Sequence, residues 1–341
     1  MTLLTTYDSI PQEQWQQLVL QSPVATWFQT PEGFRFLEQV NDFTPFVVAV
    51  AEDERLVGLC VGQISHSRSH LVQFLTRRAV INGGPLLLPE ISPEALRALL
   101  KAVNDITDRR AIFAEVRCFH DYSAWRELFA EAGWHYEKHL NFHIPCSDHN
   151  AMWQHLSENR RRQLSRAKSL GVRIDRVSRE EDLRAWYGIL RRLYRRRVHK
   201  PLPSIDFFRV LMQQQLLLGV RAPGGQIIGG IACVKLPGKA LYEWYICGLD
   251  EQCRPYAPSV VATWAAMEYA YRRGMPLFDV MGAGRPDVPY GVREFKQKFG
   301  GELVEHGRWI RVSHPLLYRL GEAVFKAVFK TLNITSFLSL Q

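Results

Sequence analysis

The chain has little with which to build a disulfide scaffold or a membrane span. Its six cysteines lie apart, at Cys60, Cys118, Cys146, Cys233, Cys247 and Cys253. No Cys-x-x-Cys pair occurs among them, so neither a disulfide framework nor a thiolate zinc site is indicated. Several sit in apolar, strand-like runs, where a reduced thiol packs as a small hydrophobe. No basic residue precedes Arg35, and Asp8 lies near the start. A signal peptide would need a charged start and an apolar core. No uninterrupted apolar run approaches the ~18 residues of a spanning helix. A cytoplasmic location is therefore expected. Sustained heptads, a Ser-His-Asp elbow and a Gly-x-Gly-x-x-Gly turn after a strand are also missing, so coiled coils, serine-type hydrolysis and dinucleotide binding have no support.

What remains is an ordinary globular composition, 47% hydrophobic and 23% charged, with length for two domains rather than one. The net charge of +9 is concentrated. Between Leu156 and Lys200 there are 15 Lys or Arg against 5 Asp or Glu. A local excess of this kind suits an anionic partner, whether a phosphate, an RNA or an anionic lipid surface. His135, His139 and His143 recur at the spacing of a helical metal site. Gly133 and Pro145 bracket them, however, and Leu140 to Ile144 reads as strand, where four residues extend ~13 Å and cannot share one ion. No metal is expected.

Two stretches repeat a pattern. Val48 to Gly58 and Leu218 to Gly229 each read as strand, turn, apolar pair and glycine, with turns at Glu52-Asp53-Glu54 and Pro223-Gly224-Gly225. Each leads into a Pro-initiated helix, opened by Ser92-Pro93-Glu94 and by Pro258-Ser259, and then into a strand. Basic helices over about 152–170 and 180–197, and a third over 205–215, open the second half. The duplication predicts two copies of one mixed α/β unit. We place them at residues 1–147 and 148–312, with 313–341 as a C-terminal amphipathic helix. There Leu316, Leu320, Val324 and Phe325 lie on the apolar face, opposite Arg319, Glu322, Lys326 and Lys330. Such a helix either packs back on the protein or touches the inner face of the membrane.

The second copy carries the densest chemistry. Leu241 to Cys247 is aromatic and β-branched, as a half-buried strand is. Ser259 to Arg273 reads as a helix ended by Gly274, Leu277 to Met281 as a further strand, and Phe295 to Phe299 as part of a short helix. Parallel strands joined by a crossover helix open a site at the strand ends. Glu243, between Tyr242 and Trp244, is placed there as a general base, since an apolar setting raises a carboxylate's pKa toward neutrality. Asp279 is a second candidate for that role. The plainer alternative is a strand-edge carboxylate bonded to a tyrosine or arginine. Arg196 and Arg197, in the run Tyr194-Arg195-Arg196-Arg197, are expected to fork phosphate oxygens, with Tyr245 and Arg254 as further substrate-binding residues. A run of this kind is also an ordinary wet helix face, because at helical spacing its arginines cannot all point one way.

Four motifs carry a family resemblance. They are Trp27-Phe28-Gln29-Thr30-Pro31, Arg162-x-x-x-Arg166-Ala167-Lys168-x-x-Gly171-Val172, Phe278-Asp279-x-Met281-Gly282, and Phe295-Lys296-x-x-Phe299-Gly300. The repeated unit of helices, hairpin, strand, crossover helix and strand is similar to the GNAT acyltransferase fold. Its tandem copy, with these motifs, resembles the Fem-type (FemAB) enzymes over almost the whole chain, and Phe-Lys-x-x-Phe-Gly is the most specific piece. The resemblance implies two tandem GNAT-like domains and an enzyme that forms an amide on a phosphate-bearing cell-envelope precursor. It further implies aminoacyl-tRNA as donor and Lys296 as the group that stabilises the tetrahedral intermediate. Apart from the resemblance, Lys296 reads as a solvated lysine beside Lys298.

The residues leave the donor open. In the loop Arg254-Pro255-Tyr256-Ala257-Pro258-Ser259 two prolines remove amide donors, and the glycines with which GNAT enzymes cradle the acyl-CoA pyrophosphate are missing. The coiled-coil arm that some Fem enzymes use to hold tRNA is missing as well. Two alternatives stand beside the Fem-like reading. One is a CoA-dependent N-acyltransferase acting on a nucleotide- or lipid-linked amino sugar in polysaccharide biosynthesis. The other is a non-catalytic protein that binds tRNA or anionic lipid.

Overall fold

The computed structural model describes residues 1–65, 77–198 and 200–321. Contacts divide the chain into two compact units, one formed by residues 1–38, 42–137 and 308 onward, the other by 39–41 and 138–307.

In the first unit Thr2–Leu4 (β1) pairs with Phe43–Glu52 (β2), which turns back into Arg55–Ser65 (β3). Asp53 and Glu54 make that turn with φ of 46° and 65°, the left-handed pair whose twist suits a tight hairpin. Arg78–Gly83 (β4) and Leu86–Leu87 (β5) pair with β3. The helix Pro93–Arg110 is capped by the Ser92 hydroxyl, which accepts from the Ala95 N–H at 3.1 Å, and it buries Leu96, Leu99, Leu100 and Val103 at helical spacing. It crosses over to Phe113–Cys118 (β6), parallel to β4. His135–Glu137 (β7) follows.

The second unit contains Leu140–Pro145 (β8), Arg173–Arg176 (β9), Leu216–Arg221 (β10), Ile227–Leu236 (β11), Ala240–Gly248 (β12), Leu277–Asp279 (β13) and Glu302–Glu305 (β14). Its sheet runs β14-β8-β13-β12-β11-β10-β9. The helix Pro258–Arg272 links β12 to β13, which are parallel. Val260, Val261, Ala262, Ala266, Met267 and Ala270 of this helix join Phe278 and Phe299 in the core. Burying each large side chain contributes about 1.5–3 kcal/mol. The last strand, Arg308–Val312 (β15), returns to the first sheet, which runs β1-β2-β3-β4-β6-β15-β7 with β5 beside β3. Both sheets are mixed, so the chain has the duplicated α/β architecture that the repeat implies.

Three details differ from the sequence-based expectation. The units divide at residues 137/138 and 307/308, not at 147/148, because β8 pairs with β13 and β14 of the second sheet and β15 with β6 and β7 of the first. The repeat pattern gives the order of strands, but only pairing decides which sheet each joins. The basic helix expected over 152–170 is two helices, His149–His155 and Glu158–Ser169, with the Ser157 hydroxyl capping the second. The helix expected to reach Arg197 ends at Leu193 and passes into a π turn, Tyr194–Val198.

Residues 315–321 are helical, and Leu316 and Leu320 there are 81% and 50% exposed. The rest of the expected amphipathic helix lies outside the described residues. Among the described residues, no helix is long and apolar enough to cross a membrane.

Candidate active site

Two features of the second sheet create a site. The parallel pairing of β12 with β13 lasts three residues, Ala240 with Leu277, Leu241 with Phe278 and Tyr242 with Asp279. β13 then stops while β12 continues to Gly248, and the sheet opens just past Tyr242. Opposite, β11 pairs Ala232 with Tyr245 and Cys233 with Glu243, so Trp244 is the extra residue of a bulge. Bulges of this kind bend a strand and re-aim its side chains.

Glu243 and Asp279 are buried on these strands, and Lys296 is buried on the short helix Gly291–Gln297. The Lys296 ammonium lies 3.0 Å from Glu243 Oε1 and donates to the carbonyls of Val280 at 2.5 Å and Gly282 at 3.0 Å. Each of its three hydrogens thus has an acceptor. Those carbonyls belong to a turn in which Met281 and Gly282 have φ of 53° and 118°, so the lysine ties down a backbone that L-residues rarely adopt. Burial pushes the Glu243 carboxyl above its ordinary value; Lys296 opposes this and Asp279 adds to it. Glu243 Oε2 is buried and has no hydrogen-bond partner among the described residues. Burial likewise pushes the neighbouring Tyr242 phenol and Cys233 thiol well up, which keeps both protonated.

Asp279 carries a second arm of the network. Its Oδ1 accepts from the Met281 N–H at 2.6 Å and from Asn141 Nδ2 at 2.8 Å. Asn141 Oδ1 in turn accepts from the Gly282 N–H at 2.7 Å. Asp279 Oδ2 lies 3.2 Å from His143 Nε2, and the His143 ring is 5.2 Å from that of His306. Asn141 and His143 were not singled out for catalysis by sequence reasoning. Their signal was there: in Leu140-Asn141-Phe142-His143-Ile144 two polar residues alternate with apolar ones, which puts both on one face of a central strand. His135 lies on β7 of the first sheet and His143 on β8 of the second.

Arg160 supports the helix that carries Lys296. Its guanidinium is 4.5 Å from the Phe295 ring centroid and 5.1 Å from that of Phe299, and it donates to Gln163 Oε1 at 2.8 Å. Burial lowers its pKa, partly offset by Asp250.

The substrate-binding candidates lie farther along β12. Tyr245 packs on Phe208 at 4.9 Å and meets Tyr194 of the π turn at 6.2 Å between ring centroids. Arg196 and Arg197 of that turn are exposed, and Arg197 pairs with Glu251. Arg254 is exposed on the turn Arg254–Tyr256. The structure thus brings Lys296, Glu243 and Asp279 into one buried cluster, with Tyr245, Arg196 and Arg197 grouped around the π turn and Arg254 on a separate one.

At the start of Pro258–Arg272, Pro258 has no N–H to offer. The Ser259 N–H donates to Asp250 Oδ1 at 3.1 Å, and the Ser259 hydroxyl to Oδ2 at 2.5 Å. A carboxylate of the chain itself therefore occupies the helix end, where backbone donors and the helix dipole favour an anion.

Residues 155–297 match the acetyltransferase (GNAT) domain family. A comparison with curated protein sequences finds no match. Among solved structures, FemX is similar with a TM-score of 0.68 at 14% identity, covering 93% of this chain and 99% of that one. L-PGS from Bacillus licheniformis has a TM-score of 0.57 at 12% identity, covering 90% and 96%. A tandem GNAT protein from the clavulanic acid biosynthesis pathway has a TM-score of 0.57 at 10% identity, covering 92% and 99%. The chain therefore has the tandem GNAT fold, and its buried Lys296–Glu243–Asp279 cluster lies within the residues that match the acetyltransferase domain.

Proposed function

We propose that the protein is an acyltransferase that forms an amide on an amine-bearing, phosphate-bearing cell-envelope precursor, taking an aminoacyl group from an ester donor such as aminoacyl-tRNA. The observation that carries this reading is the buried Lys296–Glu243 pair where β12 and β13 part. Attack of an amine on an ester carbonyl develops negative charge on the carbonyl oxygen, and a buried ammonium stabilises such charge far better than one in water. At rest Lys296 has all its hydrogens engaged, so it meets the oxyanion by exchanging Glu243 for it. Burial favours the neutral form of Glu243 and makes that exchange easier.

The choice of donor rests on the helix Pro258–Arg272. Asp250 fills its N-terminus, and Pro255 and Pro258 withhold two amide donors from the same loop, so a CoA pyrophosphate has no cradle there. Arg196 and Arg197 supply the phosphate contacts to the precursor. FemX and L-PGS supply the class of reaction by analogy of fold. The exposed Leu316 and Leu320 support a peripheral contact with an anionic membrane surface, where such precursors reside.

The match to the acetyltransferase family favours a second reading, a CoA-dependent N-acyltransferase acting on a nucleotide- or lipid-linked amino sugar. One experiment separates the two. The protein is incubated with a UDP-linked peptidoglycan precursor and either labelled aminoacyl-tRNA or labelled acyl-CoA, and amide product is counted. Product from aminoacyl-tRNA alone is expected. Product from acyl-CoA alone would overturn the ester-donor reading, and product from neither would overturn the transferase.

A further inference from the structure

The sheet of the second unit ends on β9, a strand whose four residues are all exposed. An edge strand turns part of its N–H and C=O groups outward, away from its one neighbour. Beside it lies an open groove of about 540 Å³, lined by Arg173, Arg176, Arg179 and Arg221 together with Asp175 and Asp182. Four arginines face two aspartates there, which leaves two positive charges.

The aspartates are already paired. Arg221, whose side chain is only 14% exposed, meets Asp175 Oδ2 through Nε at 2.7 Å and Asp182 Oδ2 through Nη2 at 2.8 Å. Arg179 adds a contact to Asp182 at 3.1 Å. Among the described residues, Arg173 makes no ion pair and no side-chain hydrogen bond. Arg176 donates through one nitrogen to the carbonyls of Gln215 and Met212, at 2.9 and 3.5 Å, and no carboxylate among the described residues pairs with it.

The positive strip continues past the groove. The Gln215 side chain accepts from the Lys235 N–H at 3.3 Å, so Arg176 of β9 and Lys235 of β11 meet at one residue. Lys235 is half-buried; burial lowers its pKa, and the charges of Arg176 and Arg273 lower it further. Cations crowded around a partly desolvated ammonium are costly by themselves, and an anion relieves them.

Shape and length select the anion. From Arg173 to Arg176 the strand extends ~10 Å, so the cations are strung out along a line rather than gathered on one phosphate. A recessed groove suits a chain that enters it, not a flat lipid surface. Outward strand carbonyls and Asp175 offer acceptors to 2′-hydroxyls, and Ile174, 40% exposed, offers an apolar contact to a sugar or base.

We propose that the groove along β9, continued by Lys235, is an RNA-docking surface that holds the phosphate backbone of aminoacyl-tRNA. This rests on the ester-donor reading above and goes beyond it by placing the RNA. In the sheet β9 is three strands from β12, about 14 Å. The unpaired 3′ end, which carries the aminoacyl ester, bridges that distance toward Glu243 and Lys296 while the rest of the RNA stays on the edge.

The test measures binding of fluorescently labelled, deacylated tRNA to the full chain by anisotropy. Between 50 and 200 mM salt the wild-type affinity should fall about 20- to 40-fold, as some three phosphate contacts require. R173A/K235A removes two cations whose side chains have no hydrogen-bond or carboxylate partner among the described residues, so it should melt like wild type. It should bind tRNA about tenfold more weakly at low salt and flatten the salt slope by about 1.5. Its KM for aminoacyl-tRNA should rise by a similar factor, with kcat and the KM for the precursor unchanged. R173K, which keeps the charge, and R197A should both bind tRNA like wild type. Unchanged tRNA affinity and salt slope in R173A/K235A would overturn the proposal. So would phosphatidylglycerol vesicles or polyglutamate that bind the wild type as tightly as tRNA does. A wild-type protein that holds tRNA through these residues yet makes no product from aminoacyl-tRNA would uphold the docking surface and sink the ester-donor reading alone.

Discussion

Lys296 and Glu243 face each other at 3.0 Å with side chains only 9% and 4% exposed, so each is the other's counter-charge in a place water does not reach. Breaking such a pair from one side leaves a buried charge uncompensated and costs about 3–5 kcal/mol, whereas replacing both partners with apolar groups is often close to neutral. K296M is therefore expected to unfold at markedly lower denaturant than wild type, and K296M/E243M to regain most of that loss. Neither variant should turn over. Equal stability of the single and double variants in denaturant melts would show that the pair is not coupled.

The same pair gives a pH prediction. The folded-state pKa of Glu243 is raised by burial, and Lys296 holds that rise in check. A raised carboxylate works against the fold as pH climbs from its unfolded value, about 4.3, through its folded one. Without Lys296 the rise is larger. The stability deficit of K296M should thus shrink as pH falls from 8 to 5 (roughly the range over which a buried carboxyl gains its proton), and a deficit independent of pH would contradict this.

Glu115 behaves in the opposite way. Burial alone would raise its carboxyl, but Arg117 and Arg308, with Arg78 behind them, pull it well below the usual carboxylate range. A depressed carboxylate contributes stability above its unfolded pKa that is lost as pH falls toward the folded one. Acid should weaken the protein below about pH 4. E115Q should flatten this dependence while costing about 3 kcal/mol at neutral pH through the arginines left behind. Melting midpoints measured across pH check both.

Asp250 caps the helix that GNAT enzymes use for CoA. D250A is expected to cost about 1–2 kcal/mol in chemical denaturation, from a lost cap and a lost dipole contact. Coenzyme A should leave the melting temperature of the wild-type protein unmoved, since a ligand stabilises only by occupying the native state. A dose-dependent rise with CoA would count against the ester-donor reading.

Arg197 and Glu251 form an exposed pair, and exposed pairs contribute about 0–1 kcal/mol. R197A should therefore melt like wild type. As a phosphate contact to the precursor, its loss should raise KM for that substrate about tenfold with kcat preserved, the signature of binding that is equal in ground and transition states. An unchanged KM would remove Arg197 from the substrate site.

By itself the sequence determined a good deal. Aromatic and β-branched runs, Pro-initiated helices and the repeated hairpin dictate two mixed α/β copies, because period, capping and turn chemistry are local properties. The strand patterns also marked Glu243 and Asp279, and the family resemblance alone marked Lys296, though the three lie 17 to 53 positions apart. What the sequence could not hold was pairing. That β8 joins the second sheet and β15 the first lies in long-range strand pairing, which no local pattern encodes. That choice sets His143 across from Asp279, more than a hundred residues away along the chain. A spacing that reads as an unconvincing metal motif becomes, in the folded sheet, a histidine 3.2 Å from a buried carboxylate.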